Sequence, residues 1–175
     1  MSSDDELMSA VRAGDRAAFE VLFERYRGLV WRFFRRRVAD SEQAADLAQE
    51  TFLAVWNGAD RYEPRGAFRS FLFGIAFNLL AAARRGSVPT DPIEAPPRAD
   101  SSDPADVIWV RQALAELDSM EREILMLREY EGLSYDEIGA LVQVPVGTVR
   151  SRLFRAREAL REKLVGQPVA QGARR

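Results

Sequence analysis

Hydrophobic residues in the first half of the chain recur every three or four positions, the spacing of a helix with one buried face. Ser3 with Glu6 predicts the capped start of a short first helix. A second helix is expected to begin at Asp15, and a third to span 41–56 with a left-handed cap at Gly58. After a loop, a fourth helix is expected to bury the apolar stripe Phe68, Phe71, Leu72, Ile75, Ala76, Leu79 and Ala83.

The second half of the chain repeats this periodicity in shorter helical segments. Asp118 with Glu121 predicts the capped start of one helix, and Ser134 with Glu137 that of a shorter one. Pro145 suits the first turn of a long final helix. A short helix, a tight turn and a longer basic helix are typical of a helix-turn-helix. Because no segment alternates as a strand does, the predicted fold class is all-α.

A proline-rich segment separates the two halves. Five of the eight prolines lie between residues 88 and 105, where Val88 and Ile93 are the only large apolar residues. Such a segment cannot bury a core, so 87–105 is expected to be a flexible acidic linker. The chain is therefore predicted to comprise two small helical domains, 1–86 and 106–165, with a disordered tail at 166–175.

Composition removes several classes of function. The 175 residues include no His and no Cys, which excludes zinc fingers, disulfide scaffolds and thiol or imidazole catalysis. We expect no metal and no cofactor. The longest apolar runs are too short to span a bilayer and the N-terminus is polar and acidic, so no membrane insertion and a cytoplasmic location are expected.

Charge is unevenly distributed although the net charge is only −2. Residues 138–175 carry eight basic and two acidic groups, whereas the linker and the helices after it are acidic. A polyanionic partner is therefore compatible with the acidic chain as a whole.

The final helix carries the most specific candidate chemistry. Its core stripe is predicted to be Val149, Leu153, Ala156, Leu160 and Leu164. Roughly opposite, near its start, lie Arg150, Ser151, Phe154 and Arg155, the positions that reach base edges in a helix-turn-helix. Arg can donate two hydrogen bonds to guanine, Ser can bond to any base edge and a ring can touch a thymine methyl group. The alternative is a solvated basic face.

Two further faces are open to more than one interpretation. Phe73, Phe77 and Arg84 lie off the predicted stripe of the fourth helix, where exposed rings could stack unpaired bases; the alternative is that another helix covers them. In the third helix, Asp46 and Glu50 flank Gln49 on one face. An acid/base or metal site there lacks supporting ligands, so the face is either solvated or a docking surface.

Taken together, these segments resemble the sigma factors of the extracytoplasmic-function (ECF) type. The strings that carry the resemblance are DLAQETFLAVW at 46–56, RYEPRGAFRSFLFGIAFN at 61–78, LSYDEIG at 133–139 and PVGTVRSRLFRAREAL at 145–160. They occur in the order of the family's domains two and four. The helix-turn-helix string alone is found in other regulators, but its combination with the first two strings is highly specific.

The resemblance implies partners and roles for matching residues. Asp46, Gln49 and Glu50 would dock on the β′ clamp helices of core RNA polymerase, and the second domain would meet the β flap. Residues that would read and melt the minus-ten element are Arg61, Tyr62, Arg65, Phe73, Phe77 and Asn78. Residues that would read the minus-thirty-five element are Thr148, Arg150, Ser151, Phe154 and Arg155. The acidic linker would thread the polymerase near the RNA exit path. A dedicated anti-sigma factor is expected as inhibitor.

Two residues depart from the pattern of the relatives. Phe71 replaces a common Trp, and Phe77 replaces a common Arg and so removes a possible phosphate contact. The predicted function is a non-enzymatic initiation factor that directs core polymerase to specific promoters. The alternatives are a helix-turn-helix regulator that acts without polymerase, an enzyme with a carboxylate site at Asp46 and Glu50, and a helical adaptor that binds only protein.

Overall fold

A computed structural model of the chain describes residues 2–65, 67–86 and 104–165, with the side chains of 104–108 excepted. The chain divides into two compact units, Met1–Glu94 and Ala95–Arg175. Within the described residues all regular structure is helical, as the sequence predicts. The predicted tail and almost all of the predicted linker lie outside the described residues.

The first unit contains four α-helices and one short 3₁₀ turn among its described residues. Ser3 forms a capping box with Glu6, and the side chains of Asp15 and Asp40 accept backbone N–H bonds at the starts of the next two helices. The elements are α1 (Asp4–Arg12), α2 (Arg16–Arg35), α3 (Ser41–Asn57), the 3₁₀ turn Ala59–Arg61 and α4 (Phe68–Arg85).

Aromatic side chains fill the core of the first unit, where α2 packs against α1 and α3, and α4 packs against α3 and α2. Phe33 and Phe34 are fully buried, with ring centroids 5.1 Å apart. Phe19 meets Trp56 edge to face at 5.1 Å and so joins α2 to the end of α3. Burial of each such ring stabilises the fold by about 1.5–3 kcal/mol relative to an exposed one.

The buried face of α4 is rotated from the predicted one. Phe68, Leu72 and Ala76 are buried as expected, but Phe71, Ile75, Leu79 and Ala83 are only half-buried. In their place, Phe73 and Leu80 are buried. Of the two interpretations of Phe73, the one in which another helix covers the ring is confirmed: its exposed fraction is 0% and its ring centroid lies 5.6 Å from that of Phe33. The arc of α4 that is covered is wide because both α2 and α3 contact this helix.

Gly58 ends α3, but not by the predicted left-handed cap, because its φ is −100°. Its role is steric. A Cβ atom there would lie 2.8 Å from the carbonyl oxygen of Ala54 and 2.9 Å from a guanidinium nitrogen of Arg61, which is closer than real Cβ contacts come. The absence of a side chain therefore lets the chain turn tightly into the 3₁₀ turn.

The second unit is built on its last helix. Its described helices are α5 (Pro104–Ala115), α6 (Ser119–Glu129), α7 (Tyr135–Val142) and α8 (Val146–Val165), and α8 packs against the other three. The predicted stripe of α8 is confirmed at Val149, Leu153 and Ala156, which are buried. It does not persist, because Leu160 is half-buried and Leu164 is 43% exposed.

The turn between α7 and α8 depends on two local features. Gln143 adopts the left-handed conformation with φ of 57° and ends α7. Gly139 lies under the turn, where a Cβ atom would come within 2.9 Å of the carbonyl oxygen of Val144. The capping box of Ser134 with Glu137 starts α7, so the predicted helix-turn-helix is present in full.

Membrane insertion is not indicated by these elements: within 2–65, 67–86 and 104–165, none of the helices combines the length and apolar character that a membrane span requires.

Candidate functional site

One outward face of α3 is acidic and unpaired. Asp46, Gln49 and Glu50 are exposed, while Leu47 and Thr51 on the opposite face are buried. Within the described part of the chain, neither carboxylate forms an ion pair or a side-chain hydrogen bond. The helix thus presents two negative charges and an amide to solvent without using them internally.

The same face carries an apolar residue that the sequence analysis missed. Leu53 lies one turn beyond Gln49 and Glu50 and is 57% exposed. Helical periodicity places Leu53 outside the buried stripe of α3, so the sequence contained the signal for its exposure. A large apolar side chain beside unpaired charges favours a protein-binding surface over a merely solvated one, because solvation gives no reason for Leu at this position. Scattered exposed Leu residues are common, so the charges remain the main observation.

The loop after α3 presents two arginines and buries the tyrosine between them. Arg61 and Arg65 are exposed, and Arg65 pairs with Glu63 at 2.7 Å. Tyr62 is 4% exposed, with its ring centroid 5.2 Å from that of Phe71 and 6.0 Å from that of Phe68. The predicted contact of Tyr62 with the minus-ten element is therefore not supported by an exposed side chain, since its ring is part of the core.

Polar groups of α1 complete the surroundings of Tyr62. Its hydroxyl donates a hydrogen bond to Asp5, and the guanidinium of Arg12 donates to the Tyr62 carbonyl oxygen. Burial, followed by the hydrogen bond to Asp5, raises the pKa of the Tyr62 phenol. A similar arrangement raises the pKa of Tyr26 to about 12, with burial first and the hydrogen bond to Asp4 second. Both phenols are therefore neutral donors at physiological pH.

Fewer side chains of α4 are exposed to solvent than the sequence predicts. Phe77 is half-buried, whereas Asn78 and Arg84 are exposed. Phe73 belongs to the core, so the pair of stacking rings is reduced to Phe77 alone. Asn78 retains an amide that can donate and accept hydrogen bonds.

The start of α8 exposes the predicted recognition face. Arg150 and Ser151 are exposed, and Phe154 is 66% exposed, which is unusual for a ring of this size. The Ser151 hydroxyl donates to the carbonyl oxygen of Thr148 at 3.0 Å, and Thr148 itself is half-buried. Arg150 forms no ion pair with another described residue. This face combines a free cation, a hydroxyl and a ring at the N-terminal half of one helix.

Arg155 shares that face but is engaged within the unit. Its Nε atom lies 3.0 Å from a carboxylate oxygen of Glu121 on α6. The sequence assigns Glu121 to a capping box, but only the Asp118 side chain caps α6, by accepting from the N–H groups of Met120 and Glu121. Two other arginines of α8 also pair across the unit, Arg152 with Asp118 at 3.3 Å and Arg157 with Glu129 at 2.6 Å. These pairs distinguish Arg150 from the rest of the basic helix.

Comparison with protein families matches both units. Residues 22–87 match the family described as Sigma-70 region 2, and residues 108–160 match Sigma-70, region 4. The α3 face and the 59–65 loop fall inside the first match, and the α8 face falls inside the second.

Two relatives align with this chain over nearly the whole length of both proteins. The RNA polymerase sigma-H factor of Pseudomonas aeruginosa is 36% identical over 190 residues, covering 97% of this chain and 97% of that protein. The ECF RNA polymerase sigma-E factor of Salmonella typhimurium is 35% identical, covering 93% and 94%.

A solved structure shares the fold. The sigma factor RpoE of Bartonella quintana, in complex with the anti-sigma factor NepR, superposes with a TM-score of 0.70 at 24% identity. The match covers 86% of this chain and 98% of that one.

Proposed function

The chain belongs to the ECF-type sigma factors of RNA polymerase, and we propose which of its surfaces perform each step of promoter-directed initiation. It is a transcription initiation factor that binds core RNA polymerase and directs it to specific promoters. In our proposal the first unit docks on the polymerase and melts the minus-ten element, and the second unit reads the minus-thirty-five element.

The observation that carries this proposal is the presence of two separate unpaired surfaces in one chain. The acidic face of α3 has no partner among the described residues, and the Arg150, Ser151 and Phe154 face of α8 is exposed. An acidic surface repels DNA, whereas a basic helix-turn-helix face attracts it. The α3 face therefore suits a basic protein surface on the polymerase, for which we propose the β′ clamp helices, with the β flap as the partner of the second unit.

Opening of the minus-ten element needs groups on the first unit that can neutralise phosphates and hold an unpaired base. We assign it to Arg61, Arg65, Phe77 and Asn78. The arginines can neutralise phosphates, while the ring and the amide can hold an extruded base. Extrusion of a base costs a few kcal/mol, so a stacking partner and hydrogen bonds at the receiving site lower the cost of opening. Tyr62 acts in support of the loop.

Promoter choice at the minus-thirty-five element is assigned to the start of α8. Arg150 would donate hydrogen bonds to guanine, Ser151 would form a hydrogen bond with a base edge and Phe154 would contact a thymine methyl group. Thr148 would lie next to the DNA backbone. Arg155 would reach DNA only by leaving or sharing Glu121.

A protein inhibitor is part of the proposal. The Bartonella quintana sigma factor that shares this fold is bound by an anti-sigma factor. We propose that a dedicated anti-sigma factor controls this chain in the same way, by covering surfaces that polymerase needs. Because bacterial transcription takes place in the cytoplasm, we propose that the chain acts there and that the chemistry of RNA synthesis belongs entirely to the polymerase.

A charge reversal on α3 tests the docking assignment. The double variant Asp46→Arg, Glu50→Arg should lose binding to core polymerase, because like charges at an interface cost several kcal/mol. The control is Glu20→Arg, Glu24→Arg, which makes the same change in charge at the same i, i+4 spacing on α2 and also removes the exposed ion pair of Glu24 with Arg27. Co-purification with core polymerase is measured, with circular dichroism as the check on folding.

The result separates the sigma-factor function from a polymerase-independent regulator. Normal co-purification of a folded Asp46→Arg, Glu50→Arg variant would overturn the docking assignment. If the unmodified chain failed to bind core polymerase but still bound DNA through α8, a regulator that acts alone would be the better description. Sequencing of transcript starts after overexpression then identifies the promoters.

A further inference from the structure

The N-terminal helix α1 forms hydrogen bonds with the loop that follows α3 from two of its residues. From the last turn of α1, Arg12 donates to the carbonyl oxygen of Ala59 at 3.4 Å and to that of Tyr62. From the first turn, Asp5 accepts the hydrogen bond of the Tyr62 hydroxyl. The two contacts are made by opposite ends of one nine-residue helix.

These contacts satisfy groups that burial would otherwise leave unpaired. The ring of Tyr62 contacts those of Phe68 and Phe71, and the residue is buried from water. A buried hydroxyl or carbonyl without a hydrogen bond is costly, and bonds to charged partners are among the stronger ones. The loop conformation at 59–62 is therefore favoured as long as α1 is in place.

The helix α1 is itself fixed to the helical core. Asp4 accepts hydrogen bonds from Arg25 and from the hydroxyl of Tyr26, both on α2. On the same face of the helix Leu7, Met8 and Val11 are buried. A rigid α1 can therefore transmit its position to the loop.

We infer that α1 is a positioning element for promoter opening, in which Arg12 and Asp5 clamp the loop at Tyr62 so that Arg61 and Arg65 face the DNA. This inference rests on the proposed role of those two arginines at the minus-ten element. Tyr62 lies between these two arginines in the sequence, and α1 binds it at two groups: Arg12 donates to its carbonyl oxygen and Asp5 accepts from its hydroxyl. The helix α1 lies outside the 22–87 segment that matches Sigma-70 region 2.

Hydrogen exchange of two loop amides tests the clamp directly. The N–H groups of Arg61 and Tyr62 donate to backbone carbonyls within the turn, so their exchange reports its opening. In the free full-length chain, Arg12→Ala should speed their exchange about tenfold, the effect of losing roughly one hydrogen bond to a charged group. Arg12→Lys should show a smaller effect. Arg16→Ala, which removes an exposed arginine four residues further on, should match the unmodified chain.

Promoter opening by the assembled holoenzyme provides the functional readout. With Arg12→Ala, permanganate reactivity of unpaired thymines should fall, while co-purification with core polymerase and closed-complex formation stay as in the unmodified chain. A promoter with a pre-melted bubble should restore transcription, because opening is no longer required. Arg12→Lys should recover part of the opening.

Each outcome decides one of the two ideas. Unchanged exchange in Arg12→Ala overturns the clamp, and faster exchange with normal opening overturns its role in initiation. If the unmodified holoenzyme shows no promoter-directed transcription, the proposed function fails, while the exchange result still decides the clamp. Should Arg12→Ala not fold, Tyr62→Phe replaces it, since it keeps the ring and removes only the bond to Asp5; normal loop exchange and opening in that variant would overturn the inference.

Discussion

Replacement of Gly139 by Ala should destabilise the helix-turn-helix selectively. The added Cβ atom would lie 2.9 Å from the carbonyl oxygen of Val144, which is closer than real Cβ contacts come, and 3.6 Å from a methyl group of Val149. The distance to the Val149 methyl group is an ordinary packing distance, so the contact with the Val144 carbonyl oxygen alone decides the outcome. One of the two backbone segments must move by several tenths of an ångström.

Neither segment moves cheaply. The Val144 carbonyl belongs to a tight turn between Gln143, which holds a left-handed φ of 57°, and Pro145, whose ring fixes its own φ. The Val144 N–H also donates to the Gly139 carbonyl at 3.0 Å, so the two residues are bound to each other. Forced repacking of this kind costs about 1–3 kcal/mol, against which the better helix propensity of Ala returns up to about 1 kcal/mol.

Hydrogen exchange of the amides in α7 and α8 measures this change without interference from the first unit. The net cost predicts exchange faster by up to roughly thirtyfold, since each 1.4 kcal/mol is a factor of ten. The matched control is Gly147→Ala in the first turn of α8, where a Cβ atom meets nothing within 4 Å. Because only propensity acts there, its exchange should slow. Equal effects of the two substitutions, or protection gained in Gly139→Ala, would refute the steric argument.

Four further predictions concern the core, the two surfaces proposed to bind DNA, and the tyrosines. Phe73→Ala should lower the free energy of unfolding of the first unit by about 3–5 kcal/mol, measured by urea titration, because it empties a fully buried site. Arg150→Ala should weaken promoter binding by the holoenzyme by about 1–3 kcal/mol and leave core binding unchanged. Asn78→Ala should reduce permanganate reactivity at the minus-ten element, and a pre-melted bubble should restore transcription. The hydrogen bonds of Tyr26 and Tyr62 should contribute stability that is fully present below the ordinary phenol pKa of about 10. This stability should be lost as the pH rises through the raised pKa values of the folded state, about 12 for Tyr26, which unfolding measured at alkaline pH would show.

Each of these predictions has a result that would contradict it. A Phe73→Ala variant of unchanged stability would mean that its ring is not in the core. Equal loss of affinity for every promoter in Arg150→Ala would indicate a phosphate contact instead of base reading. An Asn78→Ala defect that the bubble does not repair belongs to a step other than opening. Tyr26→Phe should reduce the dependence of the free energy of unfolding on pH in the alkaline range. An unchanged pH profile in that variant would show that the hydrogen bond of Tyr26 does not cause this dependence.

The sequence by itself determined the local structure of this protein and its family. Capping residues and periodicity are local signals: Ser3 and Ser134 cap helices where predicted, and α2 begins next to Asp15 as expected. The short and long helices of the helix-turn-helix follow from spacing alone. The strings at 46–56, 61–78 and 145–160 occur together in one chain, and this combination identifies the ECF sigma factors without any knowledge of tertiary contacts.

Tertiary structure decided which side chains are available to a partner. Periodicity shows that α4 has an apolar face, but its edges depend on how many helices cover it, and contact with both α2 and α3 placed Phe73 in the core. Tyr62 and Arg155 illustrate the same limit. Their partners, Asp5 and Glu121, lie 57 and 34 residues away in the chain, and contacts across such separations leave no periodic trace in the sequence. Pairing across the fold, not residue type, decides that Tyr62 supports the loop and that Arg150 on α8 has no ion-pair partner among the described residues.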